Sequence, residues 1–450
     1  MIALVVLALA AINVLVSLRR PADGLSLYIA LSLIAPNLSL GAVHLSYEVI
    51  TAVPIAAAVL LTAGPGTITT GHAILWSYVS VLLLATLIAF MWQGAQVSWV
   101  GLFGYARFAI ILSLALGYLT RHALERVLLA VASVNACAAM IQLVFPQSVG
   151  VFYTLYFKES ATPLATFLAL GRLTRGSGTF PSPVILGGFS LLAAASFYAR
   201  FLESGLDVRV LTGLAASLIA GIISTTKTTI LGLPIVGVLG PLVHVVVAKK
   251  RASDEFARAV VRAAATCLMA LMMSIALVAS LARAGFDIAR YVDYLRHPPA
   301  ALDARYQEGD GFLEGTFSVI WDNPILGVGN TTVANEFMGD SAYAAVLHDT
   351  GIVGVVLLGT LWLWALTRAV RRHDTSAVLM VAAASLVGIG MPIFTNLFGA
   401  IILTYAAAIA DSTRIRSTAR AHAGLRAKPR SPFPIRRVQP RPYRRQPQSA

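Results

Sequence analysis

Apolar runs of about twenty residues, the length that crosses a bilayer, recur along most of this chain, and that pattern decides what it can fold into. With 58% hydrophobic and only 12% charged residues among 450, and a mean hydropathy of +0.78, the sequence falls outside the soluble globular class. It reads as an all-α polytopic membrane protein with lipid as its main solvent. Soluble enzymes, DNA-binding modules and secreted disulfide scaffolds are excluded, although a pI near 10.1 would otherwise invite nucleic acid. Cys137 and Cys267 both lie inside apolar runs, which argues against a disulfide framework and a thiolate metal site.

In order, the spans are expected near 1–18, 25–43, 47–63, 73–92, 99–119, 127–145, 182–202, 209–225, 228–248, 262–282 and 344–366. A twelfth and a thirteenth share 377–410, a stretch too long for one crossing, with Met391-Pro392 as the break. The first run is taken as a retained helix, because no small-residue cleavage site follows it. Residues 1–410 then form a bundle of about twelve or thirteen transmembrane helices. The outside loops 146–181 and 283–343 are long, the second reading as a cap of short helices. Residues 411–450, rich in Pro and Arg, form a disordered tail that rests on anionic headgroups; an RNA- or partner-binding tail is the alternative. No internal repeat of the transporter kind is evident.

Most Lys and Arg gather in alternate loops, at Arg19 and Arg20, Arg121 and Arg126, Arg200 and Arg209, Lys249 to Arg262, Arg368 to Arg372, and the tail. The positive-inside rule makes that face cytoplasmic, the C-terminus included. Arg107, Lys158, Arg172, Arg175, Lys227, Arg283, Arg290, Arg296 and Arg305 fall on or near the other side and need an explanation.

Arg172 and Arg175 stand beside a Gly-rich turn, Gly176-Ser177-Gly178-Thr179-Phe180, at the mouth of the helix opened by Pro183. Arg offers planar paired donors and Gly lets backbone N–H groups come close, so the pair suits an anion such as phosphate. Anchoring at the headgroup layer is the plainer alternative. Lys227 sits in a polar knot, Ser224 to Thr229, between two apolar helices at the outer boundary, where it either meets the same ligand or snorkels. Arg107 lies within the fifth span, where an unpaired charge costs at least ~2.5 kcal/mol. It calls for a ligand or for an acid that the sequence does not identify. Glu308-Gly309-Asp310 has the acid-x-Asp spacing of metal-holding glycosyltransferases, a spacing common by chance. His348, beside Asp349 and after Asp340, is either a packing histidine or part of a titratable cluster.

Together these residues resemble the O-antigen ligase and O-antigen polymerase superfamily of bacterial envelope glycan enzymes. Arg175-Gly176-Ser177-Gly178-Thr179-Phe180, with Pro183 after it, looks like that family's outer-loop arginine motif. Lys227 stands where many members have Ser-Arg or Ser-Lys. Trp321-Asp322-Asn323-Pro324-Ile325-Leu326-Gly327-Val328-Gly329, then Asp340-Ser341-Ala342-Tyr343 and Thr350-Gly351-Ile352-Val353-Gly354, is similar to the end of the family's large loop and the helix after it. Arg305 matches the family's loop arginine. Val184 replaces the Asn that usually follows the Pro, and Asp340 replaces the His common in ligases, which is closer to the polymerase branch.

The resemblance implies inverting, metal-independent and cofactor-free glycosyl transfer at the outer face of the cytoplasmic membrane. The donor would be a glycan on polyprenyl diphosphate and the acceptor a hydroxyl of another lipid-linked glycan; a chain-length regulator is a further partner. Charge building on the departing diphosphate must then meet fixed cations, for which Arg172, Arg175, Lys227, Arg305 and Arg107 are the candidates. Asp340, with His348 behind it, would take the acceptor's proton. Transfer to a different lipid or protein acceptor keeps the donor chemistry. A lipid-linked oligosaccharide transporter would instead need polar groups and broken helices near mid-membrane.

Overall fold

The computed structural model describes residues 2–36, 38–40, 43–63, 69–156, 175–180, 182–205, 207–248, 319–331 and 341–389, with single residues between 257 and 272 and at 391 and 401. They are almost entirely helical. The helices are α1 (Ile2–Arg19), α2 (Pro21–Ile34), α3 (Tyr47–Ala63), α4 (Thr70–Gln93), α5 (Trp99–Tyr118), α6 (Arg121–Val144), α7 (Ser148–Tyr156), α8 (Pro183–Ser204), α9 (Val208–Ser224), α10 (Lys227–Ala248), α11 (Ala342–Arg371) and α12 (Thr375–Gly388). Between α2 and α3 lies a short antiparallel pair, β1 (Leu38–Leu40) and β2 (Val43–Leu45), which forms the one sheet among the described residues. Most of the expected tenth span at 262–282, most of the cap at 283–343, nearly all of the thirteenth helix, and the tail lie outside the described residues.

Among the described residues, six helices are long and apolar enough to cross a membrane: Thr70–Gln93, Gly101–Tyr118, Arg121–Val144, Pro183–Ser204, Thr229–Val246 and Ala342–Arg371. Five shorter apolar helices accompany them. The outer surface of α4 exposes Trp76, Leu83, Leu84, Leu87, Phe90 and Met91, a face that water penalises and acyl chains do not. In the middle stands α8, with 78% of its apolar window buried against 33% for that of α11. It packs on α9, α10 and α12.

Two boundaries depart most from the sequence expectation. The second span ends at Ile34 rather than near 43, because Pro36 forces Ala35 into an extended conformation (φ −80°, ψ 143°). The sixth begins at Arg121, not near 127, because the Thr120 side chain caps the helix by accepting from the Ala123 N–H and the charged first turn is helical too. The short α7 lies inside the expected first outside loop. Helix α1 is packed against α2 and α3. Its Asn13 is fully buried, with its side-chain amide 2.9 Å from the Tyr47 hydroxyl.

Hydrogen bonds fix which helix ends lie together. The starts of α6 and α12 and the end of α8 meet through Arg121, Glu203 and Asp374. The far ends of α2, α6 and α9 meet around residues 175–179, through Leu33, Gln142 and Ser224. Along α6, Arg121 and Gln142 are separated by about 32 Å at 1.5 Å per residue, close to the hydrocarbon thickness of a bilayer. The two polar clusters therefore cap opposite ends of the apolar bundle.

Candidate functional site

The Gly-rich turn after Arg175 is seated on α6. The Gln142 side-chain oxygen accepts from the backbone N–H groups of Ser177 (2.8 Å) and Gly178 (2.9 Å), and its amide donates to the Gly178 carbonyl at 2.9 Å. Asn135, two turns earlier, accepts from the Thr179 N–H at 2.9 Å and the Thr179 hydroxyl at 3.1 Å. The N–H of Gly176 donates to the Ile223 carbonyl at 3.1 Å. Gly178 has φ +61°, and a Cβ there would stand 2.3 Å from Asn135 Oδ1, so both conformation and space require glycine. These contacts correct one expectation: the turn's N–H groups are held inside the protein and do not form an open cradle for phosphate.

What the turn does is fix Arg175. Its Nε donates to the carbonyl of Ser224 at 3.3 Å, at the C-terminal end of α9, where the helix dipole favours a cation. The chain then turns through Thr225, in the left-handed region at φ 46°, and Lys227 opens α10. Of Lys227 only the backbone is described. Arg175 and the first residue of α10 are thus brought to one corner, with the hydroxyls of Ser224, Thr226 and Thr229 buried beneath it. Those of Thr226 and Thr229 lie 2.8 Å apart, and that of Ser224 donates to the Gly221 carbonyl at 2.6 Å. Arg172, Arg305 and Asp340, with Glu308 and Asp310, lie outside the described residues.

Arg107 finds the acid that the sequence leaves open. Its Nη1 is 2.9 Å from Glu48 Oε1, at the start of α3, with side chains 20% and 24% exposed. The ion pair accounts for a charge in this span without a substrate.

A second polar centre surrounds His348. Helix α11 is broken at Gly351 (φ 59°, ψ −161°), and the stretch 323–331 fills the break. The carbonyls of His348 and Asp349 accept from the N–H groups of Val328 (3.0 Å) and Gly329 (2.9 Å). Beyond the break, the N–H groups of Ile352 and Val353 donate to the carbonyls of Pro324 (2.9 Å) and Ile325 (3.2 Å). Four groups that a helix break would orphan are satisfied by one non-helical segment. The segment reaches down to Thr86 of α4, whose hydroxyl accepts from the Asn330 N–H at 2.9 Å, about 10 Å below the end of that helix. Non-helical backbone is tolerated at such depth only when protein surrounds it. The stretches 321–329 and 350–354, which carry the most specific part of the resemblance, are therefore in direct contact.

Within this centre His348 Nδ1 is 3.1 Å from Asp349 Oδ1, and the Tyr105 hydroxyl of α5 donates to Asp349 Oδ2. His348 is 4% exposed and Asp349 wholly buried. Tyr105 carries no sequence signal, being one aromatic in an apolar run. Asn135 and Gln142 do carry one: two amides spaced seven apart, on one face of an apolar helix.

At the opposite end, Arg121 pairs with Glu125 at 2.9 Å, with Glu203 at 3.1 Å and with Asp374; Arg200 pairs with Glu125 at 3.0 Å and Glu203 at 3.1 Å. Burial raises the Asp374 carboxyl above the ordinary carboxylate range, against the pull of the Arg121 guanidinium. Two Arg that sequence reading uses only to orient the chain thus also tie α6, α8 and the start of α12 together.

No family model, curated protein or solved structure matches the chain.

Proposed function

We propose that this chain is a membrane glycosyltransferase that polymerises polyprenyl-diphosphate-linked oligosaccharide repeat units at the outer face of the bacterial cytoplasmic membrane. One observation carries the reading: the Arg175 guanidinium is pinned at the α9–α10 corner where Lys227 begins the next helix. As the anomeric carbon–oxygen bond breaks, negative charge grows on the departing diphosphate, and preplaced cations lower that barrier most where water is scarce. Each charged hydrogen bond is worth roughly 1.5 to 3 kcal/mol, so two or three together supply several powers of ten in rate. In this scheme Arg172 and Arg305 complete the cationic set, and Asp340 or His348 accepts the proton of the attacking hydroxyl. An apolar groove of about 240 Å³ along α11, lined by Tyr343, Val346, Leu358, Trp362 and Leu363 among others, suits part of a polyprenyl chain. Transfer to a lipid or protein acceptor, as in a ligase, shares every donor-side step.

A carrier for lipid-linked oligosaccharide is the second reading, and the broken α11 with a buried His348–Asp349 pair favours it. Purified protein in liposomes with lipid-linked repeat units separates the three. Longer lipid-linked chains are the expected product, formed in EDTA as well as without it. Glycan on another acceptor identifies a ligase, and translocation without a new bond identifies a carrier. Arg175→Ala is expected to insert normally and lose elongation by about 100-fold or more, the loss of roughly 3 kcal/mol of leaving-group stabilisation; chains of wild-type length from that variant overturn the cationic site.

A further inference from the structure

We infer that Asp349 and Tyr105 are positioning residues that hold the His348 imidazole with its proton on Nδ1, leaving Nε2 as the nitrogen able to accept a proton. This rests on the reading above, in which an acceptor hydroxyl must lose a proton, and it assigns that task to His348 rather than Asp340. The geometry is that of an oriented base. Asp349 Oδ1 lies 3.1 Å from Nδ1, and Oδ2 is occupied by the Tyr105 hydroxyl. A carboxylate only accepts, so with Tyr105 donating to one oxygen the other draws an N–H from the ring. That contact selects one of the two neutral tautomers and stabilises the imidazolium formed when Nε2 takes a proton.

Burial gives the arrangement its force. The side chains of His348 and Asp349 are 5% and 0% exposed, so no bulk water competes for Nδ1. The backbone around them is pinned as well, because the carbonyls of both residues are bound by Val328 and Gly329. The groups facing the carboxylate are His348 on its own helix, Tyr105 of α5, and Tyr78 of α4 within electrostatic reach. Among the described residues the 323–331 segment brings backbone N–H groups to the pair and no charged side chain. An ionisable pair inside a transmembrane helix is costly to keep, and packing alone would be met by an apolar residue at either position.

The test does not depend on glycan transfer. Protein with ring-15N histidine, in nanodiscs, gives nitrogen shifts that report which ring nitrogen carries the proton; His348→Gln identifies the signal by its loss. The expected spectrum has a protonated Nδ1 and a bare Nε2 for His348, with Asp349→Asn shifting it to the other tautomer or to a mixture. A wild-type ring protonated on Nε2 overturns the inference, since Asp349 would then be the donor; so does an Asp349→Asn spectrum unchanged from wild type. In the elongation assay, Asp349→Asn is expected to lower kcat by about 100-fold with KM nearly unchanged, and Tyr105→Phe, the gentler variant, by less. Equal kcat in wild type and a folded Asp349→Asn also overturns it. If the predicted tautomer is present but wild-type protein elongates no glycan, the positioning stands and the enzymatic reading fails.

Discussion

Three hydrogen bonds tie the Gln142 side chain to the backbone of Ser177 and Gly178, so the position of Arg175 depends on a neutral residue of another helix. Gln142→Leu keeps the apolar body and removes the acceptor. Two buried N–H groups then lack a partner, each costing about 1–3 kcal/mol. Thermal unfolding in detergent should show the variant destabilised by about 3 kcal/mol, and elongation should fall with it as Arg175 is released. An unchanged melting temperature would return the turn's N–H groups to the pool available for an anion. At this scale the sequence was legible for Arg175 and its glycines, whose pattern is local. It was silent on Glu48 as the partner of Arg107, because an ion pair between separate helices leaves no mark on the spacing of either. The Gly-rich turn looked like a cradle because glycine says only that backbone comes close. It does not say whether the nearby atom belongs to a ligand or, as here, to Asn135 and Gln142.

Helix α11 poses the problem of the element. Residues 344–366 read as one uninterrupted apolar span, yet the chain leaves helical geometry at Gly351 and admits a segment from upstream. The stretch Asn323-Pro324 to Gly329 falls in the loop that reads as a cap of short helices; nothing local announced that it would enter the bundle and bond to another helix. A Cβ at Gly351 would stand 2.3 Å from the Ile325 carbonyl oxygen, on a backbone with φ +59°. Gly351→Ala must therefore either strain that residue or expel the segment, and a cost of about 1–3 kcal/mol is expected for the backbone alone. Limited proteolysis should report the second outcome as faster cutting between Asn323 and Thr331. Protection equal to wild type, with the same melting temperature, would show that the segment is not held by the break. Helix boundaries were missed at the end of α2, where Pro36 stops a helix inside a run that stays apolar, and at the start of α6, where a charged first turn hides a helix from hydropathy.

At the scale of the molecule, the apolar bundle separates two polar ends by about the thickness of a bilayer core, and the proposed chemistry belongs to only one of them. Charge counting puts Arg121 and Arg200 on the cytoplasmic side, although both are engaged with Glu125 and Glu203. Asp/Glu contribute little to that rule, so the pairing leaves the inferred direction intact. The direction can be measured with single cysteines in a background carrying Cys137→Ser and Cys267→Ser. Gln147→Cys lies just beyond α6 at the Gly-rich end, and Ser204→Cys closes α8 at the ion-pair end; both native residues are exposed. A membrane-impermeant maleimide should label Gln147→Cys in intact cells with the outer membrane, if present, made permeable, and should label Ser204→Cys only after the inner membrane is breached. The reverse pattern would put Arg175 and Lys227 in the cytoplasm. Metal-bound nucleotide sugars would then be the natural donors, and a glycan already exported on a polyprenyl carrier could not reach the site. Labelling therefore bears directly on the donor: a single inversion removes the lipid-linked diphosphate as leaving group while leaving every helix contact in place.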